Sequence, residues 1–368
     1  MKLNLREDSL EETQRFLKNE KEELNVVVMP DLFLDRIVEL DFDEKAFCRS
    51  IDAVTRRKGG SIDGIRQIDL RGGNAVNTAS ALAALGVKVT PIVCTSKLGL
   101  QLIRLYLQPS KLDLSHVKIF EKASITTAIE FRADKEKANL MLRDVGSLAD
   151  FGPSNLNEED LEAVENADYV CVFNWAGTKR FGTELAKTVF HNVKTRGKGK
   201  TYYDTADPTP NAKKIPELVN SVLQERFLNI LSVNENEAVC YAEELIDEVR
   251  TNEKSLPLED LAKKSAEILA SRLSARVELH TTSFSATFTR KGETIVPAFK
   301  VPVLRVTGAG DAWNAGNILG DASRLSDEGR LTLANAVAAY YISSPDGKHP
   351  TRKQLARFCE KLKYRTTA

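Results

Sequence analysis

Within VPVLRVTGAGDAWNAGNILG, residues 301–320, Gly308, Ala309 and Gly310 stand directly before one acid, Asp311. Glycines weaken a helix start, yet they leave backbone N–H groups uncovered where the helix dipole favours an anion, so a phosphate suits the place. An acid in a first turn also stabilises a helix by itself, and this stretch alone leaves capping and phosphate chemistry both open. A second stretch, DLRGGNAVNTASALAALG at residues 69–86, sets Gly72 and Gly73 before the apolar helical pattern Ala75, Val76, Ala79, Leu82 and Ala83. Asn74 and Asn77 fall in its first turn. An amide both donates and accepts, which suits the vicinal hydroxyls of a polyol, although Asn74 also reads as a plain N-cap.

These stretches need a frame to bring them together. Short β-rich runs, NVVVM (25–29), VKVTPIVCT (87–95), ADYVCVF (167–173), KTYYD (200–204) and FLNILSV (227–233), alternate with helical patterns, which predicts an α/β fold with a mainly parallel sheet covered on both faces. PVLRV predicts a further strand leading into the 307–310 turn. Residues 33–70 and 117–145 break the rhythm and read as antiparallel strands forming a small lid. Residues 1–23 read as a charged helical extension with a solvated face, and residues 24–368 as the main domain.

The chain of 368 residues carries 52 basic and 52 acidic side chains, so no global field draws nucleic acid or an anionic membrane. Five scattered cysteines without a C-x-x-C pair read as buried free thiols of a reducing compartment. The charged N-terminus lacks a signal-peptide pattern and no apolar run reaches a membrane span, so a cytoplasmic protein is expected. His116, His191, His280 and His349 are dispersed, which suggests neither a metal cluster nor a histidine base.

GGNAVNTASALAALG and VTGAGDAWNAGNILG, in this order and spacing, resemble the two signatures of the PfkB family of carbohydrate and nucleoside kinases over residues 25 to about 362. The resemblance implies a ribokinase-like three-layer α/β/α sandwich with a small β-sheet lid, and transfer of the γ-phosphoryl group of Mg·ATP to a hydroxyl of a sugar or polyol. It makes Asp311 the base that takes the hydroxyl proton, with the N–H groups of Gly308, Ala309 and Gly310 as an anion hole and Thr307 beside the nucleotide. It places Gly72, Gly73, Asn74 and Asn77 at the acceptor. An acid just after the first strand, Asp31 in preference to Asp35, would bind acceptor hydroxyls. Asn234 and Glu237 in SVNENEA match an N-x-x-E motif associated with Mg2+ and phosphate; from the residues alone they read as an N-cap and its capping-box partner. Asp204 would face the nucleotide phosphates, and Asn335 and Ser343 would lie near its base. Arg143 is a candidate for a phosphate already on the acceptor. Lids in this family often pair two copies, so a homodimer through the lid is an expectation.

Two positions depart from the family pattern. Where an acid six residues before the base helps to hold a monovalent cation, this chain has Arg305, which implies that a guanidinium supplies the charge and that potassium is not required. The T-x-G strand end is replaced by His280, Thr281 and Thr282, which leaves ATP and ADP both open as donor. A nucleoside kinase, needing an aromatic slot from Phe131, Phe151 or Trp175, and a non-catalytic sugar or nucleotide sensor remain the alternatives.

Overall fold

The computed structural model describes residues 2–19, 23–107, 111–133, 136–246 and 256–362. The first residue and residues 20–22 of the expected extension, and the last six residues of the expected main domain, lie outside the described residues. Eight strands form one sheet in the order Gly292–Pro297, Phe284–Thr289, Arg276–His280, Ile230–Val233, Lys200–Asp204, Tyr169–Phe173, Asn25–Met29, Lys88–Pro91. The last six are mutually parallel, and the first two add an antiparallel hairpin at one edge.

Parallel strands buried on both faces explain the near-continuous Val, Ile and Tyr runs. The pleat sends alternate side chains to opposite layers. Val27, Val170, Val172, Tyr203, Leu231 and Val277 meet the helices Gly182–Arg196, Glu235–Leu245 and Leu258–Arg272. Val26, Val28, Cys171, Tyr202 and Ile230 meet Asn74–Ala84, Ala309–Ala322 and Asp327–Ser343. The small residues after the second signature have a packing reason here: a side chain at Gly316 would stand 2.6 Å from the Cα of Ala334, so the helices Ala309–Ala322 and Asp327–Ser343 touch through backbone.

A separate four-stranded sheet, in the order Arg66–Gly72, Phe33–Glu39, Ser124–Ala133, Glu136–Asp144, forms the lid. Its central pair, Phe33–Glu39 with Ser124–Ala133, is parallel rather than antiparallel. Residues 33–70 also hold more than strands, because the amphipathic helix Glu44–Arg56 fills the connection, its Phe47 ring edge-on to Phe131 at 5.6 Å. PVLRV is irregular, not a strand: the amides of Leu304 and Arg305 both donate to the Ile342 carbonyl instead of a sheet neighbour.

The N-terminal helix Lys2–Lys18 is not merely a solvated extension. It buries Ser9, Thr13 and Leu17 against the C-terminal helices. Thr13 donates to the Gly329 carbonyl at 3.1 Å, and Arg352 donates to the Phe16 carbonyl at 2.5 Å. Cys94, Cys171 and Cys359 are buried as expected, but Cys48 on the lid helix is exposed. No helix among the described residues is long and apolar enough to cross a membrane.

Candidate active site

The C-terminal ends of the parallel strands deliver Asp31, Asn174, Asp204, Asn234 and His280 to one edge of the sheet, where open α/β sheets bind ligands. A cleft of about 470 Å3 opens there, lined by Asn74, Asp204, Asn234, Glu237, His280, Gly308, Ala309, Gly310, Asp311 and Asn335 among others. Its apolar wall is Phe299, Val303, Ala338, Ala339 and Ile342.

Asp311 lies in the first turn of Ala309–Ala322 and is 5% exposed. Asn74 Nδ2 donates to its Oδ1 at 2.8 Å and Asn77 Nδ2 to its Oδ2 at 2.9 Å. The two amides expected to meet a polyol are thus turned onto the acid, one to each oxygen. Burial pushes the Asp311 carboxyl well above the usual range; the Asn77 hydrogen bond opposes this, the charges of Asp204 and Asp31 add to it, and the Asn74 bond opposes it again. A carboxylate fixed at both oxygens and poised toward proton acceptance is what a positioned base requires.

Gly308 occupies the left-handed region at φ 86° and caps the helix without a side chain. Of the three amides expected to form the anion hole, that of Ala309 is engaged, donating to the Val306 carbonyl at 3.1 Å. No intramolecular partner is seen for the N–H of Gly308 or Gly310 among the described residues, which leaves two donors of the original three. Thr307 is exposed, does not line the cleft, and gives its carbonyl to the Tyr341 hydroxyl at 3.2 Å.

Asp31 and Asp35 differ in how their oxygens are engaged. Asp31 is fully buried and caps the first signature helix: Oδ2 accepts from Asn74 N at 2.9 Å and from Asn174 Nδ2 at 2.7 Å, and Oδ1 accepts from Ala75 N at 2.9 Å. Both oxygens are committed to the fold. Asp35, on the lid strand Phe33–Glu39, keeps a buried Oδ1 without a partner, and burial pushes its carboxyl up to about 6 against the opposing Thr126 hydrogen bond and Arg143 charge. The glycine pair serves these two acids. A Cβ at Gly72 would overlap the Asp35 carboxylate, and one at Gly73 (φ 93°) would stand 3.0 Å from the Asp31 carbonyl. Arg143 pairs in register with Thr126 on the lid, its guanidinium 5.0 Å from the Phe33 ring centroid.

Asn234 and Glu237 form a reciprocal capping box on Glu235–Leu245, with both Glu237 oxygens accepting from Asn234 at 2.9 Å. Burial pushes Glu237 well above the usual range, and the charges next in weight, Asp204, Asp207 and Glu235, all push the same way. Such an excess of carboxylate oxygen suits a hard divalent cation. Among the described residues no three metal-binding side chains converge. Asp204 is held by Asn314, whose Nδ2 donates to it at 2.6 Å.

Of the two residues expected near a nucleotide base, Asn335 lines the cleft and Ser343 does not. The Ser343 hydroxyl bonds back to the Ala339 carbonyl at 2.8 Å, as serines inside helices do. Asn335 borders the cleft, but its amide is occupied: Oδ1 accepts from Trp313 Nε1 at 3.0 Å and Nδ2 donates to the Pro297 carbonyl at 3.2 Å. Sequence reading missed Asn174 and Asn314. Asn174 follows a buried strand at φ 51°, a conformation asparagine tolerates, and the polar residue closing YVCVF was its only signal.

The sequence matches the model of the pfkB family carbohydrate kinases over residues 69–354, and the chain belongs to that family. No curated protein matches it. Among solved structures it is similar to the ribokinase of Cryptococcus neoformans var. grubii in complex with ADP, at 16% identity and TM-score 0.69, covering 92% of this chain and 99% of that one. It is also similar to the Arabidopsis thaliana ribokinase complexed with ribose and ATP, at 19% and 0.67 with coverages of 92% and 99%. The adenosine kinase of Sinorhizobium meliloti aligns at 17% and 0.68, again covering 92% and 99%. These likenesses establish the ribokinase-like fold, and the family makes the protein a phosphotransferase acting on hydroxyl groups.

Proposed function

We propose that this kinase transfers the γ-phosphoryl group of ATP to a hydroxyl of a small sugar or polyol, with Asp311 as the base. The observation that carries the reading is the Asp311 carboxylate, held at both oxygens by Asn74 and Asn77 beside the 308–311 turn. The acceptor oxygen forms its bond to the γ-phosphorus as the bond to the β,γ-bridging oxygen breaks; the hydroxyl proton passes to Asp311 and ADP leaves. The transition state of phosphoryl transfer is loose, so the hydroxyl is deprotonated late and the base needs position more than strength. The free amides of Gly308 and Gly310 stabilise the charge on the transferring group.

Asp204 and Glu237, with Asn234, are the groups that would hold Mg2+ through water; when bound, the ion neutralises polyphosphate charge. Asp35 takes the acceptor hydroxyls through its free oxygen, and Arg143 beside it reads any anionic group the acceptor carries. The lid closes over both and excludes water.

A sugar or polyol is favoured over a nucleoside because Phe151 and Trp175 are buried in the core and Phe131 packs against Phe47, so none of the three offers a slot for a base. A non-catalytic sensor would have no use for a buried carboxylate kept at such an electrostatic cost. Incubation with pentoses, hexoses, inositols and nucleosides, with ATP or ADP and Mg2+, tests the reading. Phosphorylation of a sugar or polyol supports it; turnover of nucleosides alone, or of nothing, rejects it.

A further inference from the structure

Arg71 is the penultimate residue of the lid strand Arg66–Gly72 and is half-buried, with no carboxylate paired to it among the described residues. Its Nη2 lies 3.0 Å from Nδ1 of His349. A guanidinium only donates, so Nδ1 accepts and the imidazole carries its proton on Nε2. The hydroxyl of Ser80, on the first signature helix, lies 3.0 Å from the same Nδ1. His349 in turn stacks on Tyr341, with ring centroids 4.7 Å apart and planes at 19°. The Tyr341 hydroxyl donates to the Thr307 carbonyl, and a Cβ at Gly308 would come within 2.7 Å of that hydroxyl. Arg305, whose guanidinium lies 5.8 Å from the Tyr341 ring centroid, completes the cluster.

We propose that Arg71 is a positioning residue which, through His349 and Tyr341, braces the phosphoryl-binding turn at 307–310 against the first signature helix. This rests on the kinase reading. A turn containing two glycines does not fix its own donors, and a displacement of about 1 Å at such donors slows chemistry on the order of 100-fold. The brace supplies that fixation from three directions: the lid strand through Arg71, the signature helix through Ser80, and Asp327–Ser343 through Tyr341. It also leaves Arg71, and Arg305 at the rim of the cleft, with no carboxylate partner among the described residues. Half-buried cations gain from a counter-charge, and an arriving polyphosphate provides one.

The brace requires a neutral His349. The groups facing it are Arg71, Arg305 and Tyr341, and burial together with the two guanidinium charges holds its pKa well below the usual histidine value. Replacing Arg71 by an uncharged residue removes one of those charges and the donor to Nδ1, so His349 gains a proton at higher pH.

The test uses the full-length chain as wild type, Arg71→Met, Arg71→Lys and the double variant Arg71→Met/His349→Asn. Mg·ATP turnover with the acceptor panel is followed from pH 5 to 9, and His349 is titrated by NMR in each folded protein. Arg71→Met should lower kcat about tenfold at neutral pH and move the acid limb of the profile upward. Arg71→Lys should restore most of the rate, and the double variant should lose the shifted limb. If Arg71→Met does not fold, the His349 titration in Arg71→Lys decides: a value still well below the usual one supports the brace, and an ordinary value rejects it. An active wild type whose rate and acid limb are unchanged in Arg71→Met overturns the brace and leaves the kinase reading standing. A wild type inactive on every acceptor overturns the kinase reading, and the titration then reports on the brace alone.

Discussion

Asn77 Nδ2 donates to Asp311 Oδ2 at 2.9 Å, joining positions 234 residues apart in sequence. The first signature thus orients the carboxylate that the second supplies, and the two signatures form one site. Removing the amide leaves the oxygen free to turn and without a donor for its charged form. Asn77→Ala should therefore lower kcat on the order of 10- to 100-fold and move the acid limb of activity to higher pH, because the ionised base loses a stabilising bond. A pH–rate profile of the variant checks both.

If Asp35 binds the acceptor as proposed, it links acceptor binding to stability. Its folded-state pKa of about 6 lies above the ordinary 3.8. An acid raised in this way contributes stability that is present below 3.8 and lost as pH rises through about 6. Asp35→Asn should consequently be more stable than wild type at pH 7.5, on the order of 1–3 kcal/mol by urea unfolding, with the difference vanishing near pH 4. The same variant should raise the acceptor KM at least about tenfold. A gain in stability without loss of acceptor binding would place Asp35 outside the acceptor site.

Arg305 donates from Nε to the Ser344 carbonyl at 3.2 Å and from Nη2 to the Pro345 carbonyl at 2.7 Å. Its planar fork occupies both carbonyls, and the proposed reading makes this guanidinium the fixed positive charge of the site. Turnover should change by less than about twofold when potassium is exchanged for sodium or choline, measured at constant ionic strength. Strong activation by potassium would show that Arg305 does not supply that charge.

The fold was legible because buried parallel strands write themselves as apolar runs and helices as spaced ones, and the two glycine-rich signatures located Asp311. What escaped were features set by contacts rather than by pattern. Asp31 and Asp35 are both acids near one strand end, and only the packing shows that the first caps a helix while the second keeps a free oxygen. The lid helix Glu44–Arg56 lies within a stretch that begins with strand-like alternation. The N-terminal helix read as a solvated extension because its charges outnumber the few residues, Leu17 and Thr13 among them, that dock it. Arg71 and His349 lie 278 positions apart, and no local spacing marks such a pair.

The most direct measurement compares wild type with Asp311→Asn for phosphoryl transfer to the best acceptor and for binding of Mg·ADP. The substitution keeps the shape of the side chain and removes its capacity to take a proton. The variant should bind Mg·ADP about as well as wild type while its kcat falls on the order of 1,000-fold or more. A variant that transfers phosphate within about tenfold of the wild-type rate would contradict the assignment of Asp311 as the base.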